Sequence, residues 1–176
     1  CRAVTELYRC GHRRIAALVS GTEDRSISQL RYQGYVRALA AHGLPLEQEL
    51  VIEAGSFDIR QSYLAMQRRL LAGAQFTALF AMSDVIAIAD SMAIGAMRAL
   101  RDAGRRVPED CSVIAIDGLT VSDYINPTLT TLCQPMEHMG RRSVEILLDM
   151  VEHRGGPIRE TAHTTLRTGE SVRDIS

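Results

Sequence analysis

The chain has 176 residues, of which 46% are hydrophobic and 23% charged, with a formal net charge of −1. That length allows one domain or slightly more. The near-neutral charge argues against a nucleic-acid-binding module, whose phosphate contacts need a concentrated basic surface. The paired arginines (Arg13-Arg14, Arg68-Arg69, Arg105-Arg106, Arg141-Arg142) are spread along the chain and read as solvated helix ends. No run reaches the roughly 20 apolar residues of a membrane span. No signal-peptide pattern opens the chain, but it starts on Cys1 inside a helical pattern, so further chain is expected upstream. Cys1, Cys10, Cys111 and Cys133 form no CxxC pair, so reduced, buried thiols are expected rather than a disulfide framework or zinc site.

Val4, Leu7 and Tyr8 fall at helical spacing before Gly11, and Ile15 to Val19 reads as a strand released by Ser20-Gly21. A helix is expected from about Ser28 to His42, stopped by Gly43 and Pro45. Leu50 to Glu53 reads as a strand, Ile59 to Ala72 as a helix and Thr77 to Met82 as a strand. A long helical region then runs to Ala103, ended by Gly104 and Pro108. Ser112 to Ile116 is a strand apolar on both faces. Leu129–Leu132 is a short strand, and Pro135 starts a helix with Met136, Met139, Val144, Leu147, Leu148 and Val151 on one side. Thr164 to Arg167 is a last strand. This alternation predicts an α/β fold with a parallel, doubly wound sheet of right-handed βαβ units.

Four strand ends carry small or polar residues: Ser20-Gly21-Thr22, Ser56-Phe57, Ser83-Asp84 and Asp117-Gly118. In such a sheet these ends gather on one edge, where ligands bind, so the pattern predicts a small-molecule cleft. Asp84 to Ala89 and Asp90 to Gly95 resemble a six-residue tandem copy. Six residues are about 1.7 helical turns, so the copies cannot share one helix face. Ser83-Asp84, directly after the Thr77–Met82 strand, is favoured for the strand end, with Asp90 as the alternative.

Taken together and in order, Gly11–Ile15, Arg31–Tyr35, Thr77–Asp84, Met92–Leu100, Val107–Asp110 with Asp117, Pro127–Pro135 and Gly169–Arg173 resemble the LacI/GalR family of bacterial transcriptional repressors. The resemblance covers practically the whole chain. It implies a periplasmic-binding-protein-like core of two α/β subdomains around an effector cleft. Residues 1–118 and 160–176 would be the C-terminal effector-binding subdomain. Residues 119–159 would be the crossover and the returning strand and helix of the N-terminal subdomain. A DNA-binding headpiece would precede this chain.

The resemblance further implies that Arg31, Phe57, Ser83, Asp84, Asp117 and Gln134 bind an effector, most commonly a sugar. It also implies a homodimer, with Met92, Met97 and Tyr124 as interface candidates and core packing as the alternative for them, and operator DNA bound through the headpiece. The residue chemistry suits this: a guanidinium offers five fixed donors, and a carboxylate accepts from vicinal hydroxyls. Gly118 stands where many family members carry a second acidic or amide residue. The apolar stripe from Met136 to Val151 is expected to pack on another chain, fold back on this one or lose its order, since burying one such side chain is worth roughly 1.5–3 kcal/mol.

No nucleophile elbow, metal-ligand cluster or phosphate loop is present, so no enzyme, cofactor or metal is expected. His12 and His42 sit at helix C-termini, where imidazoles commonly interact with the dipole, and His138, His153 and His163 lack metal-like spacing, so a buried or solvated histidine is the reading for all five. The leading expectation is a cytoplasmic effector-binding and dimerising region of a repressor. The alternative is an exported solute-binding protein, separated from the first by what precedes Cys1. Weak or no effector binding is expected of the 176 residues alone.

Overall fold

Apolar runs bounded by glycine, serine or proline become strands, and the 3.6-residue patterns between them become helices. The computed structural model describes residues 1–20, 27–56, 58–82, 89–152 and 158–176. In chain order these are α1 (Arg2–Arg9), β1 (Ile15–Val19), α2 (Ile27–Ala41), β2 (Val51–Glu53), α3 (Ile59–Leu71), β3 (Ala78–Ala81), α4 (Ala89–Asp102), β4 (Ser112–Asp117), β5 (Thr130–Cys133), α5 (Met136–Val151) and β6 (Thr165–Arg167). Short 3₁₀ turns at Gln48–Leu50 and Thr120–Asp123 complete the set.

The six strands form one sheet in the order β2-β1-β3-β4-β5-β6. The first five pair in parallel, as the sequence predicts. Two expectations need correction. The strand expected to return to a second subdomain is instead the fifth strand of this sheet, in register with β4 from Ile114↔Thr130 to Asp117↔Cys133. The last strand, β6, pairs antiparallel with β5. Its direction follows from where the chain goes next. Ser171 accepts from Val113 N at 2.7 Å through its carbonyl, and its hydroxyl donates to Val113 O at 2.6 Å. That places the tail at the amino end of β4. Gly169 permits the passage, because a Cβ there would lie 2.6 Å from Thr128 O.

Alternation in the strands divides the core into two layers. Ala16, Leu18, Leu79, Val113 and Ala115 face α3 and α4. Ile15, Ala17, Phe80 and Ile114 face α1 and α2. Tyr35 pins α2 to β1 by donating from its hydroxyl to Ile15 O at 2.7 Å. Gly95 lets α4 approach α3 closely, since a Cβ would meet Ile59 O at 2.2 Å. Gly95→Ala should therefore destabilise by about 2 kcal/mol, within the usual cost of overpacking, read as a lower urea midpoint.

His12 is buried, one of the two expected readings, and forms a polar hub. Its Nδ1 lies 3.0 Å from Thr77 Oγ1, and its Nε2 lies 2.9 Å from Ser112 Oγ and 3.2 Å from Arg173 O. Burial lowers its pKa, so the neutral ring is favoured. Of the four cysteines only Cys111 is buried, and all four are free.

α5 overturns part of the expectation for its apolar stripe. It is helical, yet no residue of it is buried, and Val144, Leu147, Leu148 and Val151 are exposed. The stripe neither folds back on this chain nor loses helical order. Its polar side is tied by Arg142 to Glu160 at 2.6 Å, an exposed pair that solvent screens. Among the described residues no helix is long and apolar enough to cross a membrane.

Candidate functional site

The carboxyl ends of the parallel strands lie on one edge, and β4 delivers Asp117 there. The backbone turns sharply at this point: Asp117 has φ 135° and Gly118 has φ 82°. Only a residue without Cβ fits at 118, because a Cβ would lie 2.6 Å from Cys133 Sγ and 2.8 Å from its Cα. A left-handed conformation at a non-glycine residue is costly and is held only where surroundings enforce it. Here the enforcement is a set of hydrogen bonds. Asp117 Oδ2 accepts from Ala89 N at 2.8 Å, the first residue of α4, adding a carboxylate to the positive helix N-terminus. Gln134 Nε2 donates to Asp117 Oδ1, and Gln134 N donates to Asp117 O at 3.2 Å. Arg31 Nη2, reaching over from α2, lies 3.6 Å from Asp117 Oδ1.

Three of the residues expected to bind effector are thus brought together from α2, β4 and the segment after β5. The Asp117 side chain is 1% exposed and that of Arg31 is 14%. Asp117 is the inner member of the pair, and Arg31 presents the more accessible donors. Among the described residues nothing at the site clusters in the manner of metal ligands. The arrangement suits recognition of a polar, hydroxyl-bearing molecule by a guanidinium, an amide and a carboxylate.

Phe57, Ser83 and Asp84 lie outside the described residues. Asp90, the alternative strand-end acid, sits in the first turn of α4, fully buried. Its carboxylate accepts from Leu119 N, Ser122 Oγ and Thr131 Oγ1, each at 2.7 Å. It faces the interior and holds the turn that follows Asp117, so an effector contact for Asp90 is corrected to a structural one. Met92 and Met97 are also corrected: both are core residues beneath the sheet. α4 is apolar on several sides because it packs on both the sheet and α3. Tyr124, by contrast, is 82% exposed, and Val121 and Ile59 expose apolar surface as well. The sequence reading missed the Ala89 backbone donor and the Asp90 hub. The paired acids at Asp84 and Asp90 were the available signal, but a buried acid shows its role only through its partners.

The family of periplasmic binding protein-like domains matches residues 4–172. The chain belongs to the family of periplasmic binding protein-like domains. It is 36% identical over 173 residues to the HTH-type transcriptional regulator CelR of Thermobifida fusca, covering 98% of this chain and 48% of the relative. It is 33% identical over 151 residues to the ribose operon repressor of Haemophilus influenzae, covering 86% of this chain and 43% of that one. Among solved structures, a CelR–cellobiose complex superposes with a TM-score of 0.85 at 36% identity, covering 96% of this chain and 49% of that chain. A LacI-family sugar-binding regulator from Escherichia coli complexed with phosphate gives 0.84 at 32%, covering 98% of this chain and 59% of that one. The chain spans about half the length of the curated relatives it matches. These relatives are transcriptional regulators rather than enzymes.

Proposed function

We propose that the chain is the effector-binding and self-associating region of a cytoplasmic LacI-type transcriptional regulator. The observation that carries this is the convergence of Arg31, Asp117 and Gln134 at the carboxyl edge of a parallel sheet. The effector is a small hydroxyl-rich molecule, a sugar by analogy with the cellobiose-bound neighbour. The strand-end edge is one wall of the cleft, and a second subdomain supplies the other. In the full-length protein the exposed stripe of α5 packs on that second subdomain, which accounts for apolar side chains left bare here. Two copies associate through the surface around Tyr124, and a separate headpiece binds operator DNA. Effector bound between the subdomains favours one closure state, and so alters operator affinity by its preference for that state.

Operator binding by the full-length protein, followed by fluorescence anisotropy against a panel of mono- and disaccharides, tests this reading. At least one sugar should shift the operator Kd by about 5- to 150-fold, the usual range of an allosteric coupling. Operator affinity unchanged by every hydroxyl-rich ligand tried would count against it.

A further inference from the structure

The segment between Asp117 and Tyr124 is gripped from both sides. From α4, the buried Asp90 carboxylate accepts from Leu119 N and Ser122 Oγ, and also from Thr131 Oγ1 of β5. From β6, Arg167 Nη2 donates to Leu119 O at 2.8 Å, and Nη1 lies 3.2 Å from Asp123 Oδ2. Leu119 is therefore held through both its N–H and its carbonyl. Directly before the grip stands Asp117, bonded to Ala89 N. Directly after it stands Tyr124, whose side chain projects into solvent. Ala89 and Asp90 are consecutive residues, so the first turn of α4 bonds the effector-site carboxylate with one residue and the surface turn with the next.

We infer that Asp90 and Arg167 are positioning residues that make residues 117–124 a stiff strut, so that self-association at the Tyr124 surface and the geometry of the Asp117 site are energetically linked. The inference rests on the reading of the Tyr124 surface as an interface between copies. A strut held at one point could pivot. This one is fixed by a carboxylate on one side and a guanidinium on the other, and movement at Tyr124 must either break those bonds or carry Leu119 and Asp117 with it. Linkage of this kind needs a contiguous bonded path with a defined geometry at both ends, and it is reciprocal: ligand at Asp117 tightens association, and association orders the site.

Two backbone amides report on the strut without any ligand, Ala89 N–H on Asp117 and Leu119 N–H on Asp90. Neither lies at the proposed interface, so loss of partner cover alone does not reach them. Hydrogen exchange on the full-length protein is compared between wild type and Tyr124→Ala, with sedimentation velocity giving the oligomeric state. The expected result is loss of the dimer together with at least tenfold faster exchange at both amides. In Asp90→Asn, with Tyr124 intact, exchange at Ala89 should no longer depend on protein concentration. If that variant does not fold, Arg167→Gln serves the same purpose. A monomeric Tyr124→Ala protein with unchanged exchange at Ala89 and Leu119 overturns the linkage while leaving the interface reading intact. A Tyr124→Ala protein that is still a dimer overturns the interface reading, and the linkage with it.

Discussion

Asp90→Ala is expected to cost about 4 kcal/mol of stability, measured by urea unfolding. Asp90 is fully buried, and three donors converge on its carboxylate at 2.7 Å. Removing it orphans a backbone N–H and two hydroxyls, each costing about 1–3 kcal/mol when left unpaired. The two hydroxyls can rotate toward other acceptors, which keeps the total near the lower sum. Asp90→Asn retains the volume and one acceptor oxygen but turns an amino group toward a donor, so about 2 kcal/mol is expected. Burial raises the Asp90 pKa, partly offset by its hydrogen bonds, with Asp117 adding a smaller push in the same direction. The folded chain thus holds this proton more tightly than the unfolded chain does. That contribution is fully present below the ordinary aspartate range and is lost as pH rises through the raised value. The stability gap between wild type and Asp90→Asn should therefore narrow as pH rises above the ordinary aspartate range.

Arg31→Ala should weaken effector binding by the full-length protein about thirtyfold or more, measured by titration calorimetry with whichever sugar shifts operator affinity. The guanidinium is the more exposed partner of a mostly buried charge pair, and truncating one member of such a pair at an interface costs about 2–5 kcal/mol. The effect has two parts: lost donors to the ligand, and an Asp117 carboxylate deprived of its cation. Arg31→Lys keeps the charge but loses the planar fork, and should recover only part of the affinity. The fold should survive both changes, because Arg31 lies at the edge of the core. An Arg31→Ala protein that binds effector as wild type does would remove Arg31 from the site.

Much of this was legible in the residues. Asp117-Gly118 after a doubly buried apolar run announces a strand delivering a charge to a sheet edge, and the turn at Gly118 bears that out. Arg31, Asp117 and Gln134 were joined by resemblance and meet in space. What escaped did so for physical reasons. β6 has only three residues, and a pattern of alternation carries no strand direction; the tail bonds at Ser171 set it. β5 reads the same whether it ends one sheet or begins another. Asp90 lies 29 to 41 residues from its partners along the chain, so nothing local marks it as a buried hub. Met92 and Met97 lie on a helix apolar on several sides, and composition alone does not separate a helix covered by its own chain from one covered by a second copy.

A crystal structure of the full-length protein with its effector bound tests the central claim most directly. The ligand should lie at the carboxyl edge of the sheet, with its polar groups within hydrogen-bond distance of the Arg31 guanidinium and beside Asp117 and Gln134. A ligand bound elsewhere, with the Arg31–Asp117–Gln134 cluster untouched, would contradict the account.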